Sequence, residues 1–361
     1  MYSFEPSDEQ KMLLDAVSRY ATNDLRPAAH DAEEGHEFPL KLINKGWEIG
    51  LLQASVPEAY GGFGERSVLT SVLAAEELAF GDLAGALTVL LPGLFVLPIL
   101  LAGSEEQKQE LIPPVIEADW KPYSAALIEP FFDFDPSDLR TTAKADGDNY
   151  ILSGEKTYVP FANKAEKVVV YAKLDGATRG FIVPAGTAGL KVADEREKLM
   201  GLNALPFYHL TLENVRIPKT ALLPGDFGPV LDSSRVTLAA MAVGVAKAAL
   251  EYSRDYAKDR DVFGVKVAQK QAIAFMLAEM ATDIEAMRLL AWEAAWMLDK
   301  GHTEASKTAY LAYTGAVDMV MMVTDRAVQI LGGHGYIREH PVELWMRNGR
   351  GFATFTGLAV V

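Results

Sequence analysis

Apolar residues recur at helical spacing through the first third of the chain, as in Met12, Leu13, Val17 and Tyr20, and again in Val68, Leu69, Val72 and Leu73. That spacing stacks them on one helix face and predicts a helical N-terminal domain, residues 1–121. The stretch from Pro57 to Gly64 (PEAYGGFG) is dense in turn formers and reads as a loop within it. Beyond Pro122 the pattern shortens to β-prone runs separated by turn residues: Tyr150 to Ser153, Lys167 to Ala172, Gly180 to Pro184 and Tyr208 to Val215. These predict a compact antiparallel, barrel-like middle β domain over residues 122–230. From about Ser233 the helical period returns in long stretches, Ala239 to Asp259, Gln271 to Asp299 and Thr303 to Leu331, which predicts a C-terminal helical bundle over residues 231–361. The fold class is α+β.

One segment changes this picture only briefly. Ala84 to Ala102 is uncharged over about the length of a membrane span. Pro92 and Pro98 argue against one continuous helix there. Asp82 and the acidic run from Ser104 to Glu110 bracket it without a basic flank, so buried core helices are expected and no membrane partner.

Half of the 361 residues are hydrophobic, enough for a large core and more than one domain. The 34 Lys plus Arg against 49 Asp plus Glu give a net charge of -15, which repels nucleic acid. Cysteine is absent, which excludes disulfides, thiolate nucleophiles and cysteine-ligated metals. The first residues carry no basic stretch followed by an apolar one, and a cytoplasmic protein is expected.

Candidate chemistry sits in the bundle. Arg260-Asp-Val-Phe263-Gly264 closes one helix, Gln271 opens the next, and Gln329-Ile-Leu-Gly332-Gly333-His334-Gly335-Tyr336 follows much later. An arginine offers a bidentate phosphate donor, and paired glycines let backbone amides approach a diphosphate. On spacing alone the glycines equally well end a helix and Arg260 serves as a surface charge. These residues, followed by Pro341-Val-Glu343 and Met346-Arg347, resemble the C-terminal domain of the acyl-CoA dehydrogenase family. The resemblance continues upstream through Arg235, Asn214-Val-Arg-Ile-Pro218, Gly154-Glu-Lys156, Ile128-Glu-Pro130, Gly61-Gly62 and Pro57-Glu.

The resemblance implies helical, β and four-helix-bundle domains in a tetramer built as a dimer of dimers, with FAD lying across a subunit interface. It implies oxidation of an acyl-CoA thioester at its α and β carbons: a glutamate removes the α proton, flavin takes the β hydride, and an electron-transfer flavoprotein accepts the electrons. Arg260, Phe263, Gln271, Gln329, Gly332 and Gly333 are then the cofactor-binding residues.

Departures from the family pattern fall elsewhere. The usual Tyr-Glu-Gly base segment is Phe355-Thr356-Gly357, and the alternative base position before the first bundle arginine is Ser234. Neither residue is a base near neutral pH. The small-residue loop after Glu-Pro becomes Phe131-Phe132-Asp133-Phe134-Asp135, and the flavin-flanking Trp-Ile-Thr-Asn becomes Tyr158-Val159-Pro160-Phe161. What such a chain would give a neighbour is kept, and what it would use itself is gone. The expectation is a non-catalytic subunit donating FAD contacts to a paralogous, glutamate-bearing subunit in a heterotetramer with two copies of each. The alternatives are a homomeric FAD enzyme with a relocated base, Asp133 and Asp135 being the candidates, and a flavin-free acyl-CoA-binding or structural relative. Heteromeric relatives with one degraded site per pair resemble enzymes acting on steroid side-chain CoA thioesters. Relatives continue past the position of Val361, an end the partner is expected to cover.

Other tempting residues have plain readings. Glu339 and Glu343 lack a convergent ligand set, so no metal is expected. His334 reads as a loop contact, and Met319, Met321 and Met322 as core packing.

Overall fold

The computed structural model describes residues 6–117 and 119–358; the chain end at Val361 lies outside them. The N-terminal third is helical: α1 (Asp8–Tyr20), a π-helical turn (Ala21–Leu25), α2 (Arg26–Gly35), α3 (Leu40–Trp47), α4 (Leu51–Ala54), α5 (Val68–Gly81), α6 (Leu83–Val89), α7 (Gly93–Ala102), α8 (Glu105–Leu111) and α9 (Pro113–Ile116). Two capping boxes start α1 and α8. In each, a serine hydroxyl accepts the N3 amide, Gln10 or Gln107, and that glutamine accepts the serine amide. The uncharged stretch forms α6 and α7, bent by 57° at their junction, and both helices are buried in the core as expected.

The middle sheet comprises β1 (Ser124–Ala126), β2 (Thr142–Asp146), β3 (Asn149–Pro160), β4 (Lys167–Leu174), β5 (Ala177–Pro184), β6 (Leu190–Val192) and β7 (Phe207–Pro218). Its order is β1-β4-β2-β3-β7-β6, with β5 paired to β4. The long pairs β3·β7 and β4·β5 are antiparallel, whereas β1 lies parallel to β4. β1 is three fully buried residues with no alternation, so nothing in its pattern announces its direction.

The bundle holds α10 (Gly228–Asp259), a small hairpin of β8 (Asp261–Val262) and β9 (Val265–Lys266), α11 (Gln271–Asp299), α12 (Ala305–Leu331) and the shorter α13 (Val342–Gly351). α10 packs on α5, α11 and α12. Small buried residues such as Ala239, Ala242, Ala246 and Ala249 let the helices come close. At Gly244 a Cβ would lie 2.1 Å from the Glu76 carbonyl oxygen of α5, so only glycine fits the crossing. Met319 is buried in this core and Met322 packs against it.

The three regions meet at one polar junction. The buried Glu33 carboxylate of α2 accepts from Arg347 of α13 and from Asn203 Nδ2 at 2.8 Å, while the Leu202 amide donates to Asn348 Oδ1 at 2.7 Å. This staple fixes how the sheet sits against the bundle.

Candidate functional site

The hairpin after α10 turns tightly. Val262 pairs with Val265, and the two residues between them, Phe263 and Gly264, have φ of +54° and +79°. Positive φ at both central positions is the geometry of the two-residue hairpin turn that follows strand twist. A bulky residue in that region is strained, and this turn holds Phe263 with 94% of its surface exposed. The Lys270 ammonium lies 5.9 Å from its ring centroid.

Beside the hairpin opens a cavity of about 510 Å³, lined by Tyr256, Arg260, Phe263, Lys270, Gly332 and His334 among others, with no carboxylate in its lining. In a chain of net charge -15, a lining with two cations and no acid selects anions. The exposed glycines Gly332 and Gly333 have nothing near the place of a Cβ except the Tyr336 hydroxyl oxygen, 4.0 Å from that of Gly333, so a ligand can approach their backbone closely. Guanidinium and ammonium donors beside a glycine backbone that a ligand can approach closely form a set that fits a dinucleotide's diphosphate.

Of the six cofactor-binding residues expected from sequence, Arg260, Phe263, Gly332 and Gly333 line this cavity. Gln271 is the first residue of α11 and Gln329 lies near the end of α12, next in sequence to the lining residues Lys270 and Ile330. All six are exposed. Lys270 and Tyr256 were not foreseen. Tyr256 sits one helical turn before Arg260, a spacing that could have placed it on the same face. His334 makes the expected loop contact, with Nδ1 2.8 Å from the Tyr256 hydroxyl.

The positions that the resemblance assigns to the base lie at a different place, the seam between bundle and sheet. Ser234 is buried and its hydroxyl donates to the Phe355 carbonyl at 3.3 Å. The Thr356 hydroxyl shares a hydrogen bond with the Tyr313 hydroxyl. Burial raises the Tyr313 phenol, with the Thr356 bond and Arg235 opposing, so both groups of the pair stay protonated near neutrality. Asp232 is engaged by Arg235 at 3.3 Å and by the Ser306 hydroxyl.

Across the seam the sheet presents aromatic rings. Phe207 meets Phe355 at 5.8 Å and Tyr158 meets Phe207 at 6.4 Å, both edge to face. At Gly357 a Cβ would lie 2.4 Å from Leu127 Cδ2, so sheet and base segment are in direct contact. Pro160 has no backbone N–H, and its carbonyl accepts the Ser124 hydroxyl at 2.7 Å. The Tyr158 amide, at a φ of +52°, donates to Glu197 at 2.9 Å. The Tyr158 and Phe161 amides of this segment are thus used within the chain, the latter on the Pro206 carbonyl.

The Phe-rich loop is tied down. Glu129 accepts the Arg140 and Thr141 amides at 2.7 and 2.8 Å and the Lys156 ammonium at 3.0 Å. Burial would raise Glu129, but Lys156 and these donors outweigh it and hold the carboxyl below its usual range. Burial lowers Lys156 to about 8 against the pull of Glu129. The Arg140 guanidinium lies 4.0 Å from the Phe131 ring centroid and pairs with Asp133 at 2.6 Å. Asp135 accepts the Ser137 amide at 2.8 Å. Both candidate relocated bases therefore serve the loop's own structure. Among the described residues there is no cluster of His, Asp or Glu able to hold a metal.

Comparison with known proteins matches the chain from end to end. The profiles of the acyl-CoA dehydrogenase N-terminal, middle and C-terminal domains fit residues 7–119, 124–215 and 228–359. The mitochondrial short-chain specific acyl-CoA dehydrogenase of Bos taurus is 36% identical over 361 residues, spanning 96% of this chain and 86% of that protein. Butyryl-CoA dehydrogenase from Megasphaera elsdenii is 31% identical, with a TM-score of 0.89 over 99% of this chain and 97% of that one. A glutaryl-CoA dehydrogenase from Mycobacterium smegmatis in complex with FADH2 is 27% identical, with a TM-score of 0.87 over 98% and 92%. The chain belongs to the acyl-CoA dehydrogenase family, FAD-dependent oxidoreductases acting on CH–CH groups.

Proposed function

We propose that this chain is the non-catalytic, cofactor-donating subunit of a heteromeric acyl-CoA dehydrogenase. The observation that carries this reading is the contrast between an open, cation-lined cavity holding the donated contacts and a seam filled with the chain's own aromatic rings. FAD, when bound, supplies the two-electron acceptor. This chain's part is to hold it: Arg260 and Lys270 offer charge-assisted donors to phosphate, and the Gly332 and Gly333 backbone lets the diphosphate come close. Phe263 projects from the surface to where a partner's cofactor would be covered. The partner supplies the glutamate base, the ring-facing segment and the acyl pocket. An electron-transfer flavoprotein then reoxidises the pair.

A second feature supports assembly. Phe275, Leu289 and Trp296 of α11 are exposed and spaced by multiples of seven, and Tyr310 and Leu311 of α12 are exposed too. Large side chains repeated on one face mark an interaction surface. With one working site per pair, the tetramer has room for a bulky acyl group, and a steroid side-chain CoA thioester is the class proposed.

The test is the visible absorption and native mass of the chain expressed alone and coexpressed with a glutamate-bearing paralogue. The expected result is colourless protein alone and a yellow tetramer with about two flavins. Stoichiometric flavin on the isolated chain overturns the proposal.

A further inference from the structure

We infer that Tyr252 and Tyr256 of α10, with His340 and His334, form a clamp that positions the Gly332–Gly333 backbone for the cofactor. The inference rests on the donated-cofactor reading above. The two tyrosines are one helical turn apart and point to one side of α10. The Tyr256 hydroxyl lies 2.8 Å from His334 Nδ1, and the Tyr252 hydroxyl lies 2.7 Å from His340 Nδ1. Whichever tautomer each imidazole adopts, one partner donates and the other accepts.

The two imidazoles stack on each other, 5.2 Å between centroids at 16°, and the Tyr256 ring also meets His340 edge-on at 5.9 Å. Tyr252 is backed by Trp345 of α13 at 5.8 Å. The segment from His334 to His340 is therefore gripped at both ends by one helix.

The glycines need such a grip because packing does not supply it. Gly332 is at φ +58° with open space around it, and Gly333 is exposed. Gly335 is the fixed point, where a Cβ would lie 2.2 Å from the Val328 carbonyl oxygen. Gly332 also closes α12, its amide donating to the Gln329 carbonyl, and Gly332–Tyr336 forms one 3-10 turn; without a side-chain tie that turn can still shift as a unit, and its placement has to be frozen when a diphosphate binds. The Tyr256–His334 bond removes that freedom beforehand. Tyr256 and His334 are positioning residues: their hydroxyl and imidazole act on the glycine backbone that leads into His334.

The experiment measures FAD release from the coexpressed pair by recovery of flavin fluorescence after dilution. Tyr256→Phe and His334→Leu should each speed release about fivefold, the worth of one neutral hydrogen bond. The double variant should also release about fivefold faster, because both changes break the same bond. His334→Asn, which keeps an amide group near the place of Nδ1, should return release toward the wild-type rate. A double variant about 25-fold faster, the product of independent effects, overturns the clamp. So does unchanged release in Tyr256→Phe and His334→Leu when Arg260→Ala does release flavin, and the donated-site reading then survives. If Arg260→Ala also leaves release unchanged, that reading falls with the clamp.

Discussion

The cavity beside the β8–β9 hairpin and the seam around Thr356 both hold segments that the family resemblance assigns to flavin contact, yet they have opposite textures. The cavity is open, carries two cations and no acid, and leaves its glycine backbone unshielded. The seam is aromatic, with the Thr356, Tyr313 and Ser234 hydroxyls and the Tyr158 amide bonded within the chain. A chain that bound its own cofactor ring would have to keep both open. A chain that only donates has no such constraint, and its seam is free to become core.

The largest effect should come from breaking the seam as core. Phe355→Ala removes a fully buried ring from against Phe207, and should cost about 3–5 kcal/mol in denaturant unfolding. The flavin content of surviving pairs should be unaffected. A loss below 1 kcal/mol would mean the seam is loosely filled, and the comparison would break.

Arg260→Ala tests the cavity in the same way. Losing a charge-assisted phosphate contact worth about 1.5–3 kcal/mol should weaken flavin retention by the pair roughly 10- to 100-fold, with unfolding of the isolated chain unchanged. Equilibrium dialysis of the pair reads the first and thermal melting of the chain the second.

The buried Lys156–Glu129 pair that ties the Phe-rich loop should also respond to pH. Lys156 is lowered from 10.5 to about 8 by burial, so its contribution to stability is present above pH 10.5 and lost as pH falls through about 8. The difference in unfolding free energy between wild type and Lys156→Met should grow by on the order of 1–3 kcal/mol from pH 8 to 10.5. A constant difference would show that Lys156 titrates alike in folded and unfolded chains.

The smallest expected effect is none. Thr356→Glu in the isolated chain should produce no acyl-CoA dehydrogenation, because a restored carboxylate faces Tyr313 and a sheet packed directly on the segment. Dye reduction with butyryl-CoA measures this. Turnover by that variant alone would show the seam to be one residue from a working site.

Much of this was legible in the chain before any fold was known. Helical periods at Val68–Leu73 and Gln271–Asp299, short β-prone runs between them, and the Arg260 and Gly332–Tyr336 segments are local patterns, and local patterns survive into structure when packing agrees with them. The Phe355-Thr356-Gly357 segment, where the resemblance leads one to expect a glutamate, is likewise a pattern of three consecutive residues. Lys270 as a cavity cation was not legible, because it reaches the lining through a turn that depends on the β8–β9 hairpin. Nor was the fate of Asp133 and Asp135, since only the folded loop brings Arg140 and Ser137 to them. The filling of the seam needed the tertiary structure most of all. Phe207 on a strand and Phe355 near the chain's end carry no sign of each other in sequence. They become one core because the fold seats sheet against bundle, with the Glu33, Asn203 and Arg347 junction at their meeting point, and burial of apolar rings is a property of what faces them.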